Sequence, residues 1–174
     1  MSIEYGCLFC RTGREDKVVL QLRQIYPQVD VIAPVKIRYR RRNNTHIVEK
    51  VKLFPGYVFF KTDSESFHIS HIAIIRDIIK PLLTNDGDNW QIQGSDRQLV
   101  EELFEYKGQI GLSYAYYDAG NRIRIESGFL KNYEGSIIGV NRRAKTAHIR
   151  STINGKIFDL WLGFEEITMT ESGK

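Results

Sequence analysis

The stretch that most constrains the fold runs from Leu53 to Phe60, because a turn signal is followed directly by a fully apolar segment. Pro55 and Gly56 form the turn: proline fixes φ at about −65° and glycine accepts a positive φ, so the chain can reverse sharply there. The next four residues are all β-branched or aromatic, which is typical of a strand covered on both faces. We therefore predict that Tyr57–Phe60 is the central strand of an N-terminal domain.

The segments on either side of this strand alternate between strand and helix patterns. Apolar residues at three-to-four spacing predict an amphipathic helix over 15–26. Alternation around Asn43 and Asn44 predicts a β-hairpin with a basic tip over 35–52. With a helix at 65–73 capped by Ser64 and another at 96–106, the predicted order is strand, helix, strand, hairpin, strand, helix, strand, strand, helix. The remaining strands are placed at 5–11, 29–33, within 74–83 and at 90–92. This order predicts an α+β sandwich with helices packed on a mostly antiparallel sheet.

The last third of the chain has a different pattern. Residues 108–120 contain three glycines and no sustained periodicity, so we interpret them as a linker between a domain at 1–107 and a second at 121–174. Short strands are predicted at 122–126, 136–140, 145–150, 156–162 and 165–169, with Asn154-Gly155 as a two-residue hairpin turn. Five short strands at this spacing predict a small closed β-barrel.

The positive charge of the chain is concentrated in two places. The formal net charge is only +4. However, Arg38 and Arg40–Arg42 stand together without an acidic neighbour in the sequence, and Asn141–Lys156 carries five cations and no Asp or Glu. Two localised basic patches favour a nucleic-acid partner. The alternative, solvated loop lysines and arginines, stays open at this point.

Several chemical classes find no support in the sequence. Cys7 and Cys10 lie three apart on a predicted strand, so their thiols point to opposite faces and we interpret them as buried apolar residues. Asn85–Asn89 lacks the ligand spacing of a calcium loop and is predicted to be a turn. There is no nucleophile–base–acid set, phosphate-cradling loop or metal cluster. We therefore expect neither an enzyme nor a cofactor or metal.

The expected location is the cytoplasm. The N-terminus has no basic region followed by an apolar run, so no secretory signal is predicted. No apolar segment approaches the ~20 residues that a membrane-spanning helix requires.

Three segments resemble the NusG family in the right order along the chain. Residues 5–15 resemble the opening strand and turn of the NusG N-terminal (NGN) domain, and Phe54-Pro55-Gly56-Tyr57-Val58 resembles its signature. Residues 122–129, followed by 135–138, are similar to a KOW motif with its central glycine at Gly135. Two positions depart from the family pattern: Tyr5 stands where tryptophan is usual, and Phe129 where proline is usual. Within the family, residues 11–18, 141–145 and 162–167 are most similar to the specialised paralogue LoaP.

The resemblance implies a processive antiterminator whose NGN domain binds RNA polymerase and whose KOW barrel binds an RNA hairpin in a nascent leader. It assigns polymerase binding, at the clamp helices, to Phe54 and Tyr57, with Phe59 and Ile92 as additions. It places Arg40, Arg41 and Arg42 near upstream or non-template DNA. The alternatives are a general NusG-like elongation factor whose barrel binds proteins, and a ribosome-associated KOW protein. A monomer is expected.

The RNA contact is predicted from the basic loop and the strand that follows it. Alternation puts His148 and Arg150 on one face of that strand and Ala147 and Ile149 on the other. The core would keep Ile149, leaving the polar pair outward beside the loop cations. The predicted RNA-binding residues are Arg142, Arg143, Lys145, His148 and Arg150.

Overall fold

The computed structural model describes residues 2–43, 45–63 and 67–168, with the side chains of Arg41, Arg42 and His46 excepted. The described α-helices are α1 (Glu15–Ile25) and α2 (Gly94–Glu105). The strands are β1 (Ile3–Cys10), β2 (Asp30–Ile32), β3 (Val35–Arg42), β4 (Thr45–Lys52), β5 (Tyr57–Asp63), β6 (Ile78–Pro81), β7 (Gln109–Ile110), β8 (Ser113–Tyr117), β9 (Ile123–Ser127), β10 (Ile137–Asn141), β11 (Thr146–Ile153) and β12 (Lys156–Glu166). Short 3-10 helices span Ile69–Ile74 and Phe129–Ser136.

A four-stranded sheet in the order β2-β5-β1-β6 forms the N-terminal part of the fold. Its strands pair antiparallel, with Cys7 opposite Phe59 and Val31 opposite Phe60. The apolar stretch from Tyr57 is therefore an interior strand, as predicted. Val58, Phe59 and Phe60 are buried, which shows that β5 is covered on both faces.

The two cysteines on β1 are buried and free, as the sequence analysis predicted. Burial raises the pKa of the Cys7 thiol well above its usual value, and raises that of Cys10 to about 11. Both thiols therefore stay protonated and behave as small apolar groups.

The predicted helix at 65–73 is wrong in type. Residues 64–66, including the proposed Ser64 cap, lie outside the described residues, and the described part forms a 3-10 helix at Ile69–Ile74. Ile69, Ile72 and Ile75 lie three apart, the period at which side chains of a 3-10 helix share a face, and all three pack into the core. Four isoleucines within 69–75 also lower α-helix propensity because of their β-branching.

Two further strand assignments differ from the structure. Residues 90–92 form no strand, although the Ile92 amide donates to the Tyr5 carbonyl at 2.8 Å and Ile92 is buried. The strands predicted at 156–162 and 165–169 are one continuous strand, β12. Pro81, which has no amide hydrogen to donate to a neighbouring strand, is the last residue of β6 at the edge of the sheet.

A five-stranded sheet in the order β10-β11-β12-β8-β9 forms the C-terminal half-barrel. β8 pairs parallel with β12, with Ser113 opposite Phe164, and antiparallel with β9. Buried residues alternate along its strands and include Ile125, Ala147, Ile149, Leu160 and Leu162. A helix-and-sheet part followed by a strand-rich half-barrel confirms the predicted α+β fold class.

The chain divides into two compact units. The first unit consists of Met1–Val35, Lys52–Gln109 and Thr152–Phe158, and the second of Lys36–Val51, Ile110–Ser151 and Asp159–Lys174. A third sheet, in the order β4-β3-β7, contains the basic hairpin. The segment predicted as a linker contains β7 and β8. The boundaries 1–107, 108–120 and 121–174 stay a prediction.

Candidate functional site

The turn before the central strand is held by a carboxylate from α1. Gly56 has a φ of +84°, a conformation that favours glycine. Its amide donates to the Glu15 Oε1 atom at 2.7 Å, and its carbonyl accepts from the Cys10 amide at 2.8 Å. Glu15 is itself buried. The turn is therefore fixed between the start of α1 and the end of β1.

The aromatic residues beside this turn form a packed cluster. The Phe54 ring packs edge-to-face on Phe59 at 5.0 Å and on Phe158 at 5.2 Å, measured between ring centroids. Tyr57 packs on Phe158 at 5.0 Å and on Phe9 at 5.2 Å. All five residues belong to the first unit.

The predicted polymerase-binding residues differ in how much surface they present. Phe54, Phe59 and Ile92 are fully buried in this conformation, whereas Tyr57 is partly exposed. Only Tyr57 of these four could meet a partner without a rearrangement. The docking role of the set stays a prediction.

The predicted DNA-proximal arginines lie at the end of β3. The side chains of Arg41 and Arg42 lie outside the described residues. Arg40 is exposed, and its Nη1 atom lies 3.6 Å from Glu49 Oε2. Arg38 pairs with Glu49 Oε1 at 2.6 Å. Arg38 and Arg40 have no acidic neighbour along the chain, but both pair with the Glu49 carboxylate on the adjacent strand β4.

Among the predicted RNA-binding residues, Arg142 is the most firmly positioned. Its guanidinium carbon lies 3.9 Å from the centroid of the Tyr117 ring, within cation–π range. Its Nη2 atom donates to the Asn121 Oδ1 atom at 2.6 Å. Arg143 beside it is exposed, and no ion pair is found for it in the described part of the chain.

The other three predicted RNA-binding residues have acidic partners on β12. Lys145 Nζ lies 3.6 Å from Glu165 Oε1, and Arg150 Nε lies 2.9 Å from Asp159 Oδ1. His148 Nε2 is 2.8 Å from the same Asp159 oxygen. Arg150, and then His148, hold the pKa of Asp159 below its usual value. The loop and β11 contain no acidic residue, but Glu165 and Asp159 of β12 neutralise part of their positive charge.

The predicted orientation of β11 is confirmed. Ala147 and Ile149 are buried, whereas Arg150 is exposed and His148 partly exposed. The His148 ring stacks on Trp161 with 4.5 Å between centroids and 13° between planes. The sequence analysis missed Trp161 and Asp159. A two-residue turn at Asn154-Gly155 puts position 148 opposite 161 and 150 opposite 159, so the hairpin register could have found both.

Comparisons with known proteins bear on the family of this chain. A family model described as NusG, transcription termination factor nusG, matches residues 5–100. The chain belongs to the NusG family. The transcription termination/antitermination protein NusG of Borreliella burgdorferi is 24% identical over 148 residues, which cover 80% of this chain and 79% of that protein. A solved structure titled "Domain interaction in Thermotoga maritima NusG" covers 94% of both chains at 14% identity, with a TM-score of 0.46.

Membership of the NusG family makes this chain a NusG-like transcription termination/antitermination factor. Proteins of the NusG family are transcription factors that bind RNA polymerase. The family match covers most of β1, the Pro55-Gly56 turn and the first seven residues of α2. The match therefore lies within residues 1–107, which the sequence analysis assigned to the NGN domain.

Two observations bear on other classes of protein. No helix in the described ranges is long and apolar enough to cross a membrane. Across the same residues, no group of three His, Cys, Asp or Glu side chains could hold a metal ion.

A carboxylate network in the second unit was also missed by the sequence analysis. Arg124 lies between Asp118, at 2.9 Å, and Glu134, at 3.1 Å. Glu134 also accepts the Ile125 amide at 2.7 Å. That amide, and then Arg124, lower the pKa of Glu134. The network joins β9 to the 3-10 helix that precedes β10.

Proposed function

We propose that this NusG-family chain is a processive antiterminator of the LoaP type. It binds RNA polymerase through its NGN part and a structured leader RNA hairpin through its KOW part. It acts as a monomer in the cytoplasm. The family match supports the transcriptional role, and the basic loop after β10 supports the RNA partner.

The observation that carries the RNA proposal is the placement of Arg142. Cation–π contact with Tyr117 and hydrogen bonding to Asn121 hold its guanidinium plane in one orientation. A preorganised arginine loses less side-chain entropy on binding, and its planar fork can grip a guanine edge or bridge two phosphates. Arg143 adds an exposed positive charge beside it. The loop at 141–145, called the Arg142 loop below, thus combines the oriented guanidinium of Arg142 with the accessible guanidinium of Arg143.

A hairpin target fits this arrangement better than a regular duplex. A-form RNA hides its base edges in a deep, narrow groove, so specific reading needs a loop, a bulge or a widened helix. A general NusG-like factor, whose KOW part binds proteins, has no need of an oriented arginine beside an accessible one.

The decisive experiment uses all 174 residues, because Thr152–Phe158 belongs to the first unit. An isolated C-terminal segment would lose the packing of these residues in that unit. A pool of structured RNAs is selected against the wild type and against Arg142→Ala/Arg143→Ala. We expect capture of one hairpin class by the wild type, and a loss of affinity of at least tenfold in the double variant.

Arg76→Ala/Lys80→Ala is the matched control, since it removes two exposed cations from the first unit with the same change in net charge. Its affinity for the selected hairpin should stay within about twofold of the wild type. Equal binding to every duplex, or no capture, would contradict hairpin recognition and favour the general NusG-like factor.

The polymerase contact is proposed at the face that contains Tyr57, with Phe54, Phe59 and Ile92 reached only after a rearrangement. An aromatic anchor at an interface typically contributes about 2 kcal/mol or more. Tyr57→Ala should therefore weaken association with polymerase while circular dichroism stays unchanged. The tip of the β3–β4 hairpin, with Arg40, Arg41 and Arg42, is proposed to lie near upstream DNA.

A further inference from the structure

A second basic surface lies in the second unit, where β3 and β12 border the end of the Arg142 loop at Ala144. It is a cavity of about 670 Å³ whose lining includes Lys36, Arg38 and Arg40 from β3 and Trp161 from β12. This volume is within the range of known ligand pockets. Tyr39 and Thr146 also line it, and no lining residue is acidic.

The three cations form a row along one strand. Positions 36, 38 and 40 share a face of β3, with about 6.6 Å between successive residues. Arg38 and Arg40 share a single carboxylate, Glu49. Lys36 Nζ donates to the Trp161 carbonyl and forms no ion pair with a carboxylate in the described part of the chain. The row therefore carries excess positive charge.

The environment of Lys36 favours an anion. Burial, and then the charge of Arg38, lower the pKa of its ammonium group. A negative charge placed in the cavity would oppose this lowering, because it would stabilise the charged form of Lys36. A backbone phosphate supplies that charge.

The aromatic residues of the cavity are held in place. Trp161 is 40% exposed, and the stacked His148 ring fixes the orientation of its indole. The Tyr39 hydroxyl donates a hydrogen bond to the Glu165 carboxylate. This bond raises the pKa of Tyr39 to about 12, so the hydroxyl stays protonated and neutral. An exposed, oriented indole beside a row of cations is the arrangement that binds unpaired nucleotides.

We propose that this cavity binds an unpaired RNA segment, with a base stacked on Trp161 and phosphates held by Lys36 and Arg38. An acidic peptide would use the cations but not the oriented indole. The choice of RNA over DNA rests on the proposed function and on the Thr146 hydroxyl, which can bond a ribose 2′-OH. The segment would flank the hairpin bound at the Arg142 loop.

The test uses the full chain and four fluorescein-labelled probes. Two are single-stranded octamers, one of uridine and one of deoxythymidine, and two are the selected hairpin with and without an eight-nucleotide single-stranded flank. Anisotropy gives the Kd. Trp161→Ala should weaken binding of the uridine octamer about tenfold, and Trp161→Phe should restore part of it. The flank should strengthen hairpin binding only when Trp161 is present.

Lys36→Gln should reduce the slope of log K against log salt concentration by about 0.7 for the octamer. Lys131→Gln is the matched control. Like Lys36, Lys131 donates a hydrogen bond from its ammonium group to a backbone carbonyl, that of Ile125, but it does not line this cavity. Its salt slope should stay unchanged. Arg40 is left intact, since its DNA contact is a separate proposal.

A spectroscopic readout distinguishes stacking from a structural role of Trp161. The chain has two tryptophans, so Trp90→Phe leaves Trp161 as the single emitter. Stacking of a uracil base should quench its fluorescence on addition of the octamer. Unquenched emission at saturating RNA, or octamer binding that is unaffected by Trp161→Ala, would overturn the proposal.

The outcomes separate this inference from the proposed function. If the wild type captures a hairpin, but neither the flank nor Trp161→Ala changes the affinity, the proposal for the cavity is overturned. The hairpin proposal then stands. If Trp161→Ala abolishes octamer binding but the wild type captures no hairpin, the cavity proposal stands and the hairpin proposal is overturned. Equal affinity for the deoxythymidine octamer overturns the assignment to RNA.

Discussion

Glu15 has a role that its position in the sequence does not reveal. In the sequence it is an acidic residue in the first turn of a helix, where it suits the helix dipole. In the structure its buried carboxylate accepts the amide of Gly56, 41 positions later. One side chain therefore links the start of α1 to the turn before the central strand.

We expect Glu15→Ala to lower the free energy of unfolding by about 1–3 kcal/mol, because it leaves the buried Gly56 amide without a partner. Urea denaturation followed by circular dichroism measures this. Asp16→Ala is the control: Asp16 is 81% exposed and pairs with Lys52 at the surface, so its loss should cost less than about 1 kcal/mol. Equal losses in both variants would contradict the role of Glu15.

The pH dependence of stability is expected to reveal Glu134. Its pKa is lowered in the folded state, so its contribution is fully present above the unfolded value of about 4.3 and is lost as the pH falls through the folded value. The stability difference between wild type and Glu134→Gln should therefore be larger at pH 7 than at pH 3.5. Urea midpoints at the two pH values measure it, and a difference independent of pH would argue against a charged Glu134.

At the scale of the element, β1 depends on close packing against β5. A Cβ atom added at Gly6 would lie 2.2 Å from the Phe60 ring and 2.8 Å from Trp90. Gly6 does not have a positive φ, so the constraint is steric. Glycine within a strand marks such a close approach.

Gly6→Ala should destabilise the chain by about 1–3 kcal/mol, since overpacking a core costs this amount. Gly135→Ala provides the matched control, because nothing lies within 4 Å of its added Cβ and its φ is not positive. Thermal unfolding of the two variants side by side gives the comparison. If both melt at the wild-type temperature, Phe60 and Trp90 can move aside.

At the scale of the whole molecule, the turn between β11 and β12 belongs to the first unit. Asn154 Nδ2 donates to the carbonyls of Leu82, at 2.9 Å, and Trp90, at 3.2 Å. The Asn154 amide donates to Asp96 Oδ2 at 3.0 Å. A segment near the end of the chain is thus hydrogen-bonded to residues more than fifty positions earlier.

Asn154→Gly keeps the left-handed turn but removes the two side-chain hydrogen bonds, and should lower the stability of the first unit by about 1–2 kcal/mol. Trp90 fluorescence in a Trp161→Phe background reports on that unit during urea unfolding. Lys156→Ala, an exposed change two residues away, is the control. A midpoint in Asn154→Gly equal to that of the control would show that the hydrogen bonds contribute nothing to the first unit.

Local patterns in the sequence correctly predicted the features that depend on neighbouring residues. The run of β-branched and aromatic residues from Tyr57 predicted the buried interior strand, and Asn154-Gly155 predicted a tight turn, since both reflect backbone preferences. Alternation along β11 predicted which side chains face outward. The same approach failed at 65–73, where isoleucines spaced by three belong to a 3-10 helix and an α-helix was predicted.

What the sequence determined by itself is most of the elements, the basic character of β3 and of the loop after β10, and the family resemblance. Only the tertiary structure decided which charges are paired, because Glu49 and Asp159 reach their arginines across strand registers. It also decided that Phe54 is buried and that Trp161 lies beside Lys36. Long-range pairing depends on register and on where distant segments pack, and a single sequence carries no direct record of either.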